Sequence, residues 1–182
     1  MCETDNSDGE TYETLYGIGI ELLRPLIIES QPIPQNAIIK GIDYLERALK
    51  IAPQSWPSCW ALGRAYTFIG ELELANRMFQ RSFQLNHRDK NVGRELGLSL
   101  LRLGYSQLAL LVFEKLVNVY PGDHSLIANL GLSEWMSGNA KSGLEYVDLA
   151  LRLNKNDTSL ALRREIMETL ERGTPAPLHL KG

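Results

Sequence analysis

Residues 56–89, WPSCWALGRAYTFIGELELANRMFQRSFQLNHRD, are followed by 90–123, KNVGRELGLSLLRLGYSQLALLVFEKLVNVYPGD, and by 124–157, HSLIANLGLSEWMSGNAKSGLEYVDLALRLNKND. Set one under another, the three stretches keep Leu62, Leu96 and Leu130 in one column and Gly63, Gly97 and Gly131 in the next. Gly70, Gly104 and Gly138 form a third column, and Asp89, Asp123 and Asp157 close each unit. Ala75, Ala109 and Gly143 share a position, and Phe79, Phe113 and Val147 share another four residues on. A period of this size marks an array of helical hairpins, in which each unit buries its apolar face against its neighbours.

Within a unit the signals are local and physical. Ser55, Asp89, Asp123 and Asp157 stand where a side-chain oxygen accepts from the orphan N–H groups of a first helical turn. Pro57 falls near the start of the first of these helices, where a missing N–H costs nothing. Helix A is expected to run about 14 residues to Gly70, Gly104 or Gly138, where glycine takes the left-handed conformation that stops a helix. Helix B follows with an apolar stripe at helical spacing: Leu72, Ala75, Phe79 and Phe83 in one unit, Leu108, Ala109, Val112, Phe113 and Leu116 in the next. Gly63, Gly97 and Gly131 lie mid-helix, where glycine is worse than alanine by ~1 kcal/mol. Three such residues in register imply a facing helix too close to admit a Cβ.

These residues resemble the tetratricopeptide repeat family, whose 34-residue helix-turn-helix unit favours Trp, Leu-Gly and Tyr in helix A, Ala and Phe in helix B, and a late Pro. The match comprises Leu62-Gly63, Tyr66, Ala75 and Phe79; Leu96-Gly97, Ala109, Phe113 and Pro121; and Leu130-Gly131 with Ala150. Departures are Cys59, Gly93 and Ile127 at the Trp position, Leu100 and Glu134 at the Tyr position, and His87 and Lys155 at the Pro position. The resemblance implies an all-α fold, a right-handed α-solenoid of antiparallel helix hairpins.

Outside the three units, 56–89, 90–123 and 124–157, the frame extends both ways. Gly41, Leu45, Ala48 and Pro53 fall at helix B and terminal positions, so 11–55 reads as a divergent first hairpin. Its helix A is expected over 11–29, with Pro25 as a kink, and 30–36 forms a longer connection. Residues 1–10 read as a disordered acidic N-terminus. Residues 158–172, apolar on one side and charged on the other, are expected to cap the array. Gly173 stops that helix, and 173–182 reads as a flexible tail.

Composition narrows the function. The 182 residues carry 19 Lys and Arg against 22 Asp and Glu, a net charge of −3, with no basic run longer than Arg163-Arg164. That leaves no footprint for nucleic acid or an anionic membrane. The apolar stretch 15–28 is broken by Glu21, Arg24 and Pro25 and falls short of a bilayer span of ~20 residues. Cys2 and Cys59 have neither the number nor the spacing of a disulfide framework or a zinc site. A reducing, cytoplasmic setting is expected, and the sequon at Asn156-Asp157-Thr158 matters only in a secretory protein.

No catalytic, cofactor-binding or metal-binding set is found. His87, His124 and His179 are scattered, and no His-Glu-x-x-His pair exists. Gly17-Ile-Gly19 lacks the last glycine and the preceding strand of a dinucleotide loop, and Lys141-Ser142 lacks the glycine of a phosphate loop. The chain reads as a non-enzyme without cofactor.

By resemblance, positions 2, 5, 9, 12 and 13 of each unit face the concave side, where a partner binds. Here they are Pro57, Trp60, Arg64, Thr67 and Phe68; Asn91, Arg94, Leu98, Leu101 and Arg102; Ser125, Ala128, Leu132, Trp135 and Met136. The expected partner-binding residues are Trp60, Arg64, Arg94, Leu98, Arg102, Leu132, Trp135 and Met136, because Trp and Arg dominate interface hot spots. The alternative for Trp60, Phe68 and Trp135 is packing against a neighbouring helix or the N-terminal segment. The carboxylate clamp of family members that grip heat-shock chaperones is not reproduced, since Trp60, Arg64, Leu98, Ser125 and Asn129 occupy its places. The implied function is an adaptor or scaffold holding a peptide or helix of a protein partner, with apolar anchors and some acidic residues to suit the arginines. Two alternatives stand: a secretion-type chaperone shielding an apolar client segment, and a homo-oligomeric assembly subunit. Monomer and homo-oligomer are both open.

Overall fold

The computed structural model describes residues 10–29 and 31–180, so most of the expected disordered N-terminus, 1–9, lies outside the described residues. The chain divides into two compact units, Met1–Asn86 and His87–Gly182. The first holds α1 (Tyr12–Ile27), α2 (Gln35–Ile51), α3 (Trp56–Phe68) and α4 (Leu72–Leu85). The second holds α5 (Lys90–Arg102), α6 (Ser106–Val119), α7 (His124–Met136), α8 (Ala140–Leu153) and α9 (Asp157–Arg172). Every element among the described residues is helical, and successive helices pair as hairpins: α1 with α2, α3 with α4, α5 with α6, α7 with α8, and α9 on α8.

The start signals act as expected in three units. Ser55 accepts from the Ser58 N–H, Asp89 from Asn91 and Val92, and Asp123 from Ser125 and Leu126. At the fourth, the cap is Asn156, which accepts from Ser159, and Asp157 is the first helical residue. The stop signals are uniform. Gly70, Gly104 and Gly138 have φ of 81°, 80° and 93°, and the next residue's N–H reaches back to close the turn: Glu71 to Tyr66 O, Tyr105 to Leu100 O, and Asn139 to Glu134 O at 2.9–3.0 Å. This six-residue return satisfies a helix-end carbonyl and sets where helix B starts.

The mid-helix glycines mark backbone-close packing. A Cβ on Gly63 would lie 2.6 Å from Phe79 Cε1, and one on Gly97 2.4 Å from Phe113 Cζ. In the fourth hairpin, α7 with α8, where Val147 replaces the Phe, Gly131 instead faces Gly143, with a Cβ only 2.7 Å from the Gly143 carbonyl oxygen. The divergent first hairpin follows the same rule: Gly19 admits Leu45, and Gly41 admits Leu23. Gly19 precedes Leu45 by 26 residues where Gly63 precedes Phe79 by 16, so the longer connection shifts the glycine while keeping the contact. Pro25 lies in the last turn of α1, with little helix beyond it. Leu108 departs from the expected stripe, being 51% exposed on α6, while Ala109, Phe113 and Leu116 are buried.

The C-terminal segment differs most from expectation. Gly173, with φ 63°, ends α9 and turns the chain. Rather than trailing away, residues 174–180 return across the second unit. The Leu180 N–H donates to Leu101 O at 3.2 Å, the Leu178 carbonyl comes within 3.0 Å of where a Gly104 Cβ would sit, and Ala176 packs on the cluster of Trp135, Val147 and Ile166.

Candidate functional site

The side chains expected to bind a partner divide into three kinds. In the first unit, Trp60 is half-buried on α3, with the Arg64 guanidinium over its ring at 5.8 Å to the centroid. Its indole N–H is buried without an acceptor among the described residues. Phe68, at the end of the same helix, is 49% exposed. The opposite face of α3 is closed by Cys59, Leu62, Gly63 and Tyr66 against its neighbours. Tyr66 donates to the Glu46 carboxylate, and burial together with that bond pushes its hydroxyl pKa up. The helix therefore presents Trp60 and Arg64 from a rigid support.

In the second unit Arg94, Leu98 and Arg102 are half-buried on α5. Arg94 sits 3.6 Å from Glu95, and one Arg102 guanidinium nitrogen is buried without an acceptor. At the start of α7, burial alone would raise the Asp123 carboxyl. The Lys90 ammonium at 2.7 Å and the N–H groups of Leu126 and Ser125 overcome that and hold its pKa below the ordinary value.

Trp135 and Met136 correct the expectation of exposed binding residues. Trp135 is 4% exposed and Met136 8%. Trp135 packs with Val147 of α8 and Ile166 of α9, and Leu132, Leu162 and Ala176 surround that cluster. Val147 of its own hairpin, Ile166 of α9 and Ala176 of the returning segment enclose Trp135, so it is not on an open face. Its indole N–H also lacks an acceptor among the described residues.

Between that segment and the helices is a cavity of about 550 Å³. Leu132 and Trp135 line it from α7, Glu165, Glu168, Thr169 and Arg172 from α9, and Pro175, Pro177, His179 and Leu180 from the segment. Arg172 is 3.3 Å from Glu168. Sequence reasoning missed the α9 and segment residues; the signal available was the Pro175-Ala-Pro177 spacing, which favours an extended strand of fixed φ. Among the described residues, no group of His, Cys, Asp and Glu is arranged to hold a metal ion, and no helix is long and apolar enough to cross a membrane.

Comparison with protein-family models and with curated proteins gave no match. Solved structures do match. MamA (residues 41 to the end) from Desulfovibrio magneticus RS-1 is 20% identical with a TM-score of 0.68, over 91% of this chain and 97% of that one. YrrB, described as a TPR protein with an unusual peptide-binding site, is 20% identical with a TM-score of 0.72, over 87% and 76%. The pilF protein of Pseudomonas aeruginosa is 21% identical with a TM-score of 0.67, over 88% and 69%. Together with the 34-residue glycine register and the uniform helix stops, these likenesses establish that the chain has the all-helical fold of the tetratricopeptide repeat proteins.

Proposed function

We propose that the chain is a non-enzymatic protein-interaction module whose A helices receive a segment of a partner protein. The observation that carries this reading is Trp60 under Arg64 on α3, half-buried, with an indole N–H that has no acceptor among the described residues. A large ring, a cation and an unused donor on a rigid helix are the ingredients of a binding hot spot. Arg94, Leu98 and Arg102 supply comparable chemistry on α5, and Leu132 on α7.

A photo-crosslinking residue at Phe68 tests the reading in cells, with one at Leu111 of α6 as the outward control. Mass spectrometry of the adducts should find a protein captured from Phe68 and not from Leu111. Capture from Leu111 alone, or equal capture from both, would move the site away from the A helices.

One observation favours self-association as a second reading. Tyr105, Leu108, Leu111 and Val119 are 51–65% exposed along α6 and its N-cap, an apolar stripe of the kind that pairs copies. Light scattering on the pure protein distinguishes a monomer from an oligomer.

A further inference from the structure

We propose that residues 174–180 are an intramolecular occupant of a binding channel in the second unit, and that the partner is an extended, proline-spaced apolar segment that displaces them. This rests on the reading that A helices receive protein segments, and it names what the second unit takes.

The occupant is held as a bound peptide would be. It contributes one main-chain bond, from the Leu180 N–H to the Leu101 carbonyl, and its backbone passes Gly104 closely enough that a Cβ there would be 3.0 Å from the Leu178 carbonyl. It inserts one small anchor, Ala176, on Trp135 and Ile166. Pro175 and Pro177 restrict the chain to an extended form before it docks, which lowers the entropy lost on binding.

The fit is incomplete, and that makes the occupant displaceable. Leu178 is 81% exposed. A cavity lies beside Pro175, Pro177 and Leu180, with Trp135 among its lining side chains, and the buried Trp135 indole N–H finds no acceptor among the described residues. A segment with a larger side chain than Ala176 would fill more of that space. Glu165 and Glu168 place two carboxylates on the wall, of which Arg172 stands beside Glu168. The channel therefore favours a basic residue flanking the prolines, as His179 flanks them here.

The probe is a fluorescein-labelled peptide of residues 172–182, read by fluorescence anisotropy against the full chain and against the full chain carrying Ala176→Asp with Leu180→Pro. The first change ejects the anchor and the second removes the N–H. A released channel should bind the peptide roughly tenfold or more tightly than the wild-type chain, because a resident occupant reduces apparent affinity by the fraction of time the site is free. Equal affinity overturns the proposal, as does absence of binding to a double variant whose melt matches wild type. Should the double variant fold poorly, hydrogen exchange on the unmodified chain decides: a protected Leu180 amide supports docking, and free exchange through 174–180 overturns it. The crosslinking from Phe68 reports on the first unit alone, so failure of the channel and failure of the interaction reading are separately visible.

Discussion

At the scale of the residue, one substitution should have opposite signs at two glycines. Gly17 lies on the exposed side of α1 with nothing within 4 Å of a Cβ. Gly17→Ala should therefore stabilise the fold by ~0.5–1 kcal/mol, the helix-interior penalty of glycine. Gly97→Ala gains the same propensity but drives a methyl into the Phe113 ring, 2.4 Å away, and should cost ~1–3 kcal/mol net. Urea unfolding of both variants checks the pair. The sequence register marked Gly97 as a contact point, whereas the identity of the group filling each gap, a ring twice and a glycine carbonyl once, needed the fold. Asp123 offers a pH test. Because its folded pKa is lowered, its contribution is present above the ordinary carboxylate value of ~3.9 and fades as pH falls through the lower folded value. Asp123→Ala should cost ~0.5–2 kcal/mol at neutral pH through the lost cap. Asp123→Asn, a good cap without charge, should lose less at neutral pH and show a flatter decline in acid. Thermal melts from pH 7 to 2.5 distinguish them.

At the scale of the element, α9 shows which contacts hold a cap in place. Ile166 is fully buried against Trp135 and Val147, so Ile166→Ala should lower stability by ~2–5 kcal/mol. Arg163 on the same helix is 2.6 Å from Asp148 of α8, yet both side chains are more than a third exposed. Water screens such a pair, and Arg163→Ala should cost no more than ~1 kcal/mol. Denaturant midpoints of the two variants would invert that order only if charge rather than packing seats the helix. The amphipathic character of α9 was legible in the sequence, though its apolar residues Leu160 and Leu170 are 45% and 39% exposed. Periodicity gives a helix's apolar sector but not how much of it a neighbour covers.

At the scale of the whole molecule, the array was readable and its occupancy was not. Repetition in sequence reports contacts between adjacent hairpins, which recur at fixed spacing. The contact between Leu180 and Leu101 occurs once, links distant positions and leaves no periodic trace. The packing of Ile166 and Ala176 on Trp135 is equally non-periodic, which is why Trp135 read as surface. The two tryptophans should accordingly separate stability from binding. Trp135→Ala should cost ~3–5 kcal/mol of stability, while Trp60→Ala should leave the melt largely unchanged and weaken an identified partner by ~2 kcal/mol. Calorimetric titration alongside melting curves settles the assignment, and a Trp60 variant with unaltered affinity would remove α3 from the interface. Cys59 adds a clock to the first unit. Its thiol is fully buried beside the glycine-packed seam of α3, and burial pushes its pKa up, so an alkylating reagent can reach it only when that seam parts. In a Cys2→Ser background, the rate of Cys59 alkylation becomes a direct count of how often the first unit breathes.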